Sequence, residues 1–276
     1  MEWPFLRCND KKLSETFNKG QFEMDATGHA AIVSGGASGL GEASARALAA
    51  AGARVAVFDM NLDGAKRVAG EIGGEAFACD VSDAASTEAA VAAAAASMGA
   101  ARIAVNCAGI APPAKIVGRD GPQPLEVFAK TIQVNLIGTF NILRLAAAGM
   151  QTLEPLEGGE RGVIVNTASV AAFEAQIGQA AYGASKGGVA AMTLPAAREF
   201  ARWGIRVLAI APGIFGTPML FGLSEEVQKS LGDSVPFPSR LGDPAEFASL
   251  VMHMVSNAML NGEVVRLDGA LRMTPT

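Results

Sequence analysis

Residues 30–59 constrain the fold more than any other stretch of this 276-residue chain. Ala30-Ala-Ile-Val-Ser34 is a short apolar run with strand character, and Gly35-Gly-Ala-Ser-Gly39-Leu-Gly41 follows at once. Next comes Glu42-Ala-Ser-Ala-Arg-Ala-Leu-Ala-Ala-Ala-Gly52, a run of strong helix formers closed by glycine. A second strand, Arg54-Val-Ala-Val-Phe-Asp59, ends in an acid 18 residues after Gly41. Strand, glycine turn, helix and strand in this order form the opening unit of a dinucleotide-binding sheet. Glycines let the backbone turn tightly and approach a pyrophosphate, whose charge sits at the helix N-terminus. The spacing is G-x-x-x-G-x-G, and Asp59 stands near the separation at which a carboxylate meets an adenosine ribose. A glycine cluster alone is more often an ordinary tight turn. The acid at the end of the following strand reverses that balance.

Three further strand ends carry chemistry. Glu75 to Val81 closes a third strand on Asp80 and Val81, and Arg102 to Gly109 closes a fourth on Asn106-Cys107-Ala108-Gly109. Gly162-Val-Ile-Val-Asn-Thr-Ala-Ser169 closes a fifth on a hydroxyl. Ligands of open α/β sheets bind beyond the carboxyl ends of the strands, so these residues converge on one edge. Beyond Ser169 lie Tyr182 and Lys186, four residues apart and therefore on one face of a helix. A free phenol, with pKa near ~10, is a poor base at neutral pH, and a cation held beside it lowers that value. Ser169 does not ionise but can donate to a carbonyl oxygen that gains negative charge. Y-x-x-x-K alone is a weak signal; next to a cofactor site it becomes a candidate acid/base pair.

Taken together these motifs resemble the short-chain dehydrogenase/reductase family over residues 27–274. Ser34 to Gly41 matches the family's glycine signature, with Ser34 where threonine is usual, and Asn106-Cys107-Ala108-Gly109 departs from N-N-A-G at one position. The resemblance implies a catalytic tetrad of Asn135, Ser169, Tyr182 and Lys186. It also implies cofactor contacts from Gly35, Ser38, Gly39, Leu40, Gly41, Asp59, Asp80, Val81, Cys107, Ala108 and Gly109. Tyr182, Lys186, Pro212, Gly213, Phe215 and Thr217 complete that set. Asn135 is implied to kink its helix and hold a water of a proton relay. Residues 163–174, 235–246 and 261–269 are similar to the branch that oxidises 3-hydroxyacyl-CoA thioesters and hydroxysteroids. That branch implies NAD as cofactor, an acyl-CoA substrate, substrate contacts from Ser169, Gln176, Gln179 and Tyr182, and a homotetramer joined partly through residues 264–273.

The expected fold is α/β: a single Rossmann-type, doubly wound parallel sheet of about seven strands with helices on both faces. No Pro/Gly/Ser linker or block of like charge divides the chain, so residues 25–276 read as one NAD-binding catalytic domain. The net charge of −5 and the lack of a basic stripe argue against a nucleic-acid partner. The alanine-rich run from Ala89 to Ala101 is too short for a membrane span and reads as a close-packing helix. Cys8, Cys79 and Cys107 have no disulfide-framework spacing, which suits free thiols in a reducing, cytoplasmic compartment. Neither His29 nor His253 stands in a catalytic or metal-ligand pattern, and no metal is expected.

Residues 1–24 mix four basic and four acidic residues with Trp3, Phe5, Phe17 and Phe22 and show no clear period. They fit neither a transit peptide nor a secretory signal and read as a poorly ordered extension. Ala111 to Leu125 is loop by composition, and its Lys115 and Arg119 either meet coenzyme A phosphates or are simply solvated. Residues 213–232 read as a substrate lid. Phe173, Ile177, Ile214, Phe215 and Leu220 are expected to make the pocket apolar. Two other readings stay open: a hydroxysteroid dehydrogenase or acetoacetyl-CoA reductase, and a catalytically idle NAD-binding subunit that works through protein contacts.

Overall fold

The computed structural model describes residues 24–275 except Leu223. Strands β1 (Ala30–Ser34), β2 (Arg54–Asp59), β3 (Glu75–Ala78), β4 (Ile103–Asn106), β5 (Gly162–Thr167), β6 (Ile205–Pro212) and β7 (Val264–Leu267) form one sheet. Their spatial order is β3-β2-β1-β4-β5-β6-β7, and every adjacent pair is parallel. Parallel strands covered on both faces lack polar alternation, and β1, β4, β5 and β6 are accordingly buried at every position. The doubly wound α/β sheet read from the sequence is thus present with seven strands.

Helices α1 (Gly39–Ala50), α2 (Leu62–Ile72) and α8 (Pro244–Ser256) cover one face, where Val33, Leu48, Val57, Val105, Phe247 and Val251 pack together. Met24, expected as the last residue of the extension, is buried with Ala26 in the same cluster; residues 1–23 lie outside the described residues. Helices α3 (Ala84–Met98), α4 (Leu125–Ile132), α5 (Gly138–Gln151) and α6 (Ala180–Phe200) lie on the other face. In α3 only small side chains, Thr87, Ala90 and Ala94, are buried with Met98, so alanine serves close packing there. The loop after β4 holds only a minimal hairpin, Val117–Gly118 against Gly121–Pro122. The expected lid contains a short helical turn, Pro218–Phe221, and helix α7 (Glu225–Asp233).

One buried cation fastens β6 to the end of α8. Arg206 donates to the carbonyls of Met254 (2.6 Å) and Val255 (2.7 Å), in the last turn of α8, and to Leu260 (3.1 Å) beyond it. A helix leaves its last carbonyls without internal partners, and the guanidinium supplies donors. Glu160 balances its charge at 2.8 Å, although burial holds the Glu160 carboxyl above its usual range. Arg206→Ala strands this carboxylate and at least three carbonyls. Removing one partner of a buried pair costs about 3–5 kcal/mol, so Tm measured by calorimetry falls by roughly 6–20 °C in a domain of this size.

Candidate active site

At the carboxyl edge of the sheet the strand order reverses between β1 and β4, and the glycine turn sits there. Gly35 has φ +68°, and a Cβ on it would lie 2.6 Å from the Ala108 nitrogen. A Cβ on Gly41 would lie 2.1 Å from the Gly35 carbonyl oxygen, so α1 can start only with glycine there. Gly39 faces Thr217, where a Cβ would stand 3.4 Å from the threonine methyl. Leu40 turns into the core cluster under α1. Ser38 occupies the cap position of α1 without capping it, whereas Asn61, Asp83, Ser224 and Asp243 all cap their helices. The first-turn amides of α1 are therefore left to another acceptor, as a pyrophosphate requires. Asp59 holds the turn from β2, accepting from the Ala37 amide (3.1 Å) and the Asn61 amide (2.9 Å).

The remaining expected cofactor residues stand around this turn. Asp80 follows β3, and its carboxyl is kept below the usual range chiefly by the Ser82 hydroxyl at 2.6 Å. Val81 is buried against Gly138, and its carbonyl accepts from Asn141 at 3.2 Å. Cys107 donates its amide to Ser34 (3.0 Å), and burial pushes its thiol up to about 11, so it is no thiolate nucleophile. Pro212 accepts from the Val170 amide (3.1 Å), and the Gly213 amide donates to Leu267 (2.9 Å). Phe215 departs from its expected role. Its side chain is buried against the Phe247 ring (6.5 Å between centroids) because Gly242 leaves room for it. Its ring is spent on packing, which leaves its main chain as the part free to meet a ligand.

The four expected catalytic residues meet. Asn135 sits in a widened π turn, Gln133–Ile137, between α4 and α5, which is the kink expected of its helix. Its amide clamps Ile110, accepting from the nitrogen and donating to the oxygen at 2.8 Å each, and it donates to Ser185 at 3.0 Å. Ser185 in turn donates to the Tyr182 carbonyl at 2.7 Å. Gly109 lets the end of β4 pass close by: a Cβ there would lie 3.2 Å from Asn135 Oδ1 and 3.7 Å from Lys186 Nζ. Lys186 is buried and donates to the Thr167 carbonyl at 2.7 Å, with its ammonium 5.9 Å from the centre of the Tyr182 ring. Ser169 Oγ accepts from the Ala171 amide at 3.1 Å, which aims its proton elsewhere; the hydroxyl also bonds to Tyr182.

Burial, rather than the lysine, dominates the phenol. It pushes the Tyr182 pKa upward against the opposing Ser169 bond. It also pulls the Lys186 ammonium down to about 8. The lowering expected from the neighbouring cation does not appear beside this burial: the Lys186 ammonium donates to the Thr167 carbonyl and lies 5.9 Å from the centre of the Tyr182 ring.

Gln176 and Gln179 are half-buried, but the bonds they make are internal. Gln179 Oε1 accepts from the Gln176 amide (3.0 Å), and Gln176 Nε2 donates to the Thr274 carbonyl (3.1 Å). The same loop is tied to the C-terminal segment by Ile177 donating to Pro275 (2.9 Å) and Met273 donating to Glu174 (3.0 Å). Arg266 bridges Glu174 (2.8 Å) and Asp268 (2.6 Å) and lies 5.6 Å from the centre of the Phe173 ring. This clasp was invisible in the sequence, where Glu174 and Arg266 stand 92 residues apart. Ser185 was also missed, although its place between Tyr182 and Lys186 was a usable signal. Under the edge runs a buried ladder: Ser34 donates to Asn106 (3.1 Å) and Asn106 donates to Asn166 (2.8 Å), whose own Nδ2 has no partner.

Such an arrangement can move a proton between the phenol and an alcohol or carbonyl oxygen placed beside Ser169. Oxidation needs the phenolate, so its rate rises with pH as Tyr182 loses its proton. Ser169→Ala removes the bond that opposes the upward shift. The ascending limb of the kcat/KM profile therefore moves to higher pH, and kcat falls by about 10²–10³-fold, as for a lost oxyanion donor. An unmoved limb in the variant would deny Ser169 this tuning role.

The known proteins that this chain resembles agree with that chemistry. Residues 29–228 match the family model described as short chain dehydrogenase. 3-Hydroxyacyl-CoA dehydrogenase type-2 of Bos taurus is 52% identical over 252 residues, 90% of this chain and 97% of its own. The Homo sapiens protein of that name matches to the same extent, 52% over 252 residues. A crystal structure of 3-hydroxyacyl-CoA dehydrogenase type-2 from Mycobacterium avium superimposes with a TM-score of 0.85 at 45% identity, covering 90% of this chain and 98% of that one. The protein belongs to the short-chain dehydrogenase family and is an oxidoreductase.

Proposed function

We propose that this dehydrogenase oxidises a short-chain 3-hydroxyacyl-CoA to the 3-ketoacyl-CoA, reversibly, with NAD. One observation carries the reading: the Ser169, Tyr182 and Lys186 side chains converge beside the Ala108–Gly109 main chain, against which the glycine turn packs. The chain around them is 52% identical to relatives named for this activity. The residues fit the cofactor, since the α1 N-terminus lacks a side-chain cap and Asp59 presents a carboxylate at the end of β2. Gly35 to Gly41 would hold the pyrophosphate, and Asp59 the adenosine ribose. Bound NAD supplies the hydride acceptor.

The chain's own groups handle the proton. Tyr182 Oη takes it from the substrate hydroxyl in oxidation and returns it to the carbonyl oxygen in reduction. Ser169 donates to that oxygen as charge develops. Lys186 keeps positive charge near the phenolate and would reach the nicotinamide ribose. Asn135 fixes Ile110, and so the loop beyond β4, against the catalytic helix α6. Its expected water relay belongs to this proposal, as do substrate contacts from Gln176 and Gln179.

Among the described residues no helix is long and apolar enough to cross a membrane, and the proposed location is the cytoplasm, where Cys79 and Cys107 stay reduced. A homotetramer is the proposed assembly. Exposed Ile137 and Phe140 beside the π turn, and Leu194 on α6, support an apolar interface between copies.

The substrate reading predicts that 3-hydroxybutyryl-CoA and its 2-methyl analogue exceed free 3-hydroxybutyrate in kcat/KM, because the nucleotide end supplies remote binding energy. A 17β-hydroxysteroid preferred tenfold over both thioesters favours the hydroxysteroid alternative. Tyr182→Phe loses at least about 10²-fold in kcat yet still binds NAD. No turnover of any of these alcohols by the wild type would leave a cofactor-binding subunit.

NAD is expected to be preferred over NADP. Asp59 faces the place of a 2′-phosphate, Met60 after it is neutral, and Ser38 carries no charge. Like charges about 4 Å apart at an effective dielectric near 20 cost on the order of 4 kcal/mol, nearly a thousandfold. Equal kcat/KM for the two cofactors would refute this.

A further inference from the structure

Beside the glycine turn lies a cluster of four charges that the proposed chemistry does not use. Glu42, in the first turn of α1, accepts from Arg67 Nη2 on Oε2 (2.7 Å) and from Arg67 Nη1 on Oε1 (3.1 Å). The same carboxylate accepts from Arg46 Nη2 (2.7 Å) and Arg46 Nε (3.0 Å). Glu71 pairs with Arg46 and reaches Arg67 only at 3.5 Å. Two acids thus balance two guanidiniums, and Glu42 is the principal holder of Arg67.

The position of Arg67 gives this cluster a meaning for cofactor choice. Arg67 Nη2 also donates to the carbonyl of Ala37 at 3.1 Å, and the amide of that residue is held by Asp59 Oδ2 at 3.1 Å. A single residue of main chain therefore separates the guanidinium from the carboxylate that faces the adenosine ribose. The Arg67 side chain is 48% exposed and rooted on α2, so it is held only by its acid partners and the Ala37 carbonyl. A guanidinium is the side chain best shaped to bind a phosphate through two parallel hydrogen bonds. Held by Glu42, it is neutralised and turned toward α1.

We propose that Glu42 is a specificity-determining residue: by sequestering Arg67 it denies a 2′-phosphate a cation that stands one main-chain residue from Asp59, and so adds a second barrier against NADP to that of Asp59. This rests on the reading that the glycine turn and Asp59 bind an adenine dinucleotide. Glu42 contacts no part of the expected cofactor and acts through Arg67. The chemistry recognised is a 2′-phosphorylated adenosine, whether free or within NADP.

Adenosine 2′,5′-bisphosphate and adenosine 5′-monophosphate differ only in the 2′-phosphate, so titration calorimetry with these two probes isolates the effect from catalysis. In Glu42→Gln the bisphosphate is expected to bind about three- to tenfold more tightly than in wild type, the size of one partly exposed charge contact, while the monophosphate stays within twofold. Glu42→Gln/Arg67→Ala is expected to abolish the gain. Arg67→Ala alone leaves bisphosphate affinity within twofold of wild type, since Arg67 is already occupied there. A bisphosphate gain below twofold in Glu42→Gln, or one that persists without Arg67, overturns the proposal. A threefold loss in Arg67→Ala overturns it as well, because Arg67 would then already be serving the phosphate. If the wild-type protein binds neither probe nor NAD, the cofactor reading itself fails, and this inference fails with it. A Tm unchanged within about 2 °C in Glu42→Gln shows that the comparison is between folded proteins.

Discussion

The structure depends on one topological constraint: strand order reverses between β1 and β4. From that point the connections run outward in opposite directions, which opens a crevice beyond the carboxyl ends of the strands. The glycine turn after β1 and the Ala108 peptide after β4 come within contact distance there because Gly35 has no side chain. Each remaining strand then delivers its terminal residue to the same edge: Asp59 from β2, Ser169 beyond β5, Gly213 beyond β6. The catalytic helix α6 is anchored to that edge by Lys186 bonding to the last residue of β5. Chemistry is assembled from residues distant in sequence because the sheet permits only this meeting place.

Water exclusion shapes the electrostatics of the meeting place in two directions. The phenol is pushed up and the ammonium pulled down, both by burial. Each shift disfavours the charged form, so phenolate and ammonium are costly apart and mutually favourable together. Ser169 and the Thr167 carbonyl hold the partners in place without neutralising either. In the proposed reaction this pair exchanges a proton with a bound alcohol.

Much of this was legible in the sequence, for stated physical reasons. A glycine that must abut backbone, an acid at a strand end, and a Tyr-Lys pair one helical turn apart are local patterns, and all stand where they were expected. The alternation of short strands and helices made a doubly wound parallel sheet legible, while the order of its strands is seen only in the structure. What was not legible depends on long-range packing. Nothing local to Phe215 reveals that Gly242 clears space for its ring, nor that Glu174 waits for Arg266. The polar residues Gln176 and Gln179 looked like pocket contacts, yet the bonds they form fasten their own loop. The balance between burial and the lysine at Tyr182 is equally a property of the folded surroundings.

The buried ladder of Ser34, Asn106 and Asn166 has a bearing on how such a sheet finds its alignment. Strands that are apolar on both faces give little information about which residue should stand beside which, because a slip by one residue still buries apolar side chains. Here Ser34, Asn106 and Asn166 are direct neighbours across β1, β4 and β5. A slip of β4 against its two neighbours would leave two amides and a hydroxyl buried without these partners, at a cost of about 1–3 kcal/mol for each. The ladder ends at Ala209, the neighbour of Asn166 on β6, which offers no side-chain acceptor. These three polar residues act as a key that admits one alignment of the central strands, and the idle Asn166 amide marks the edge of its reach.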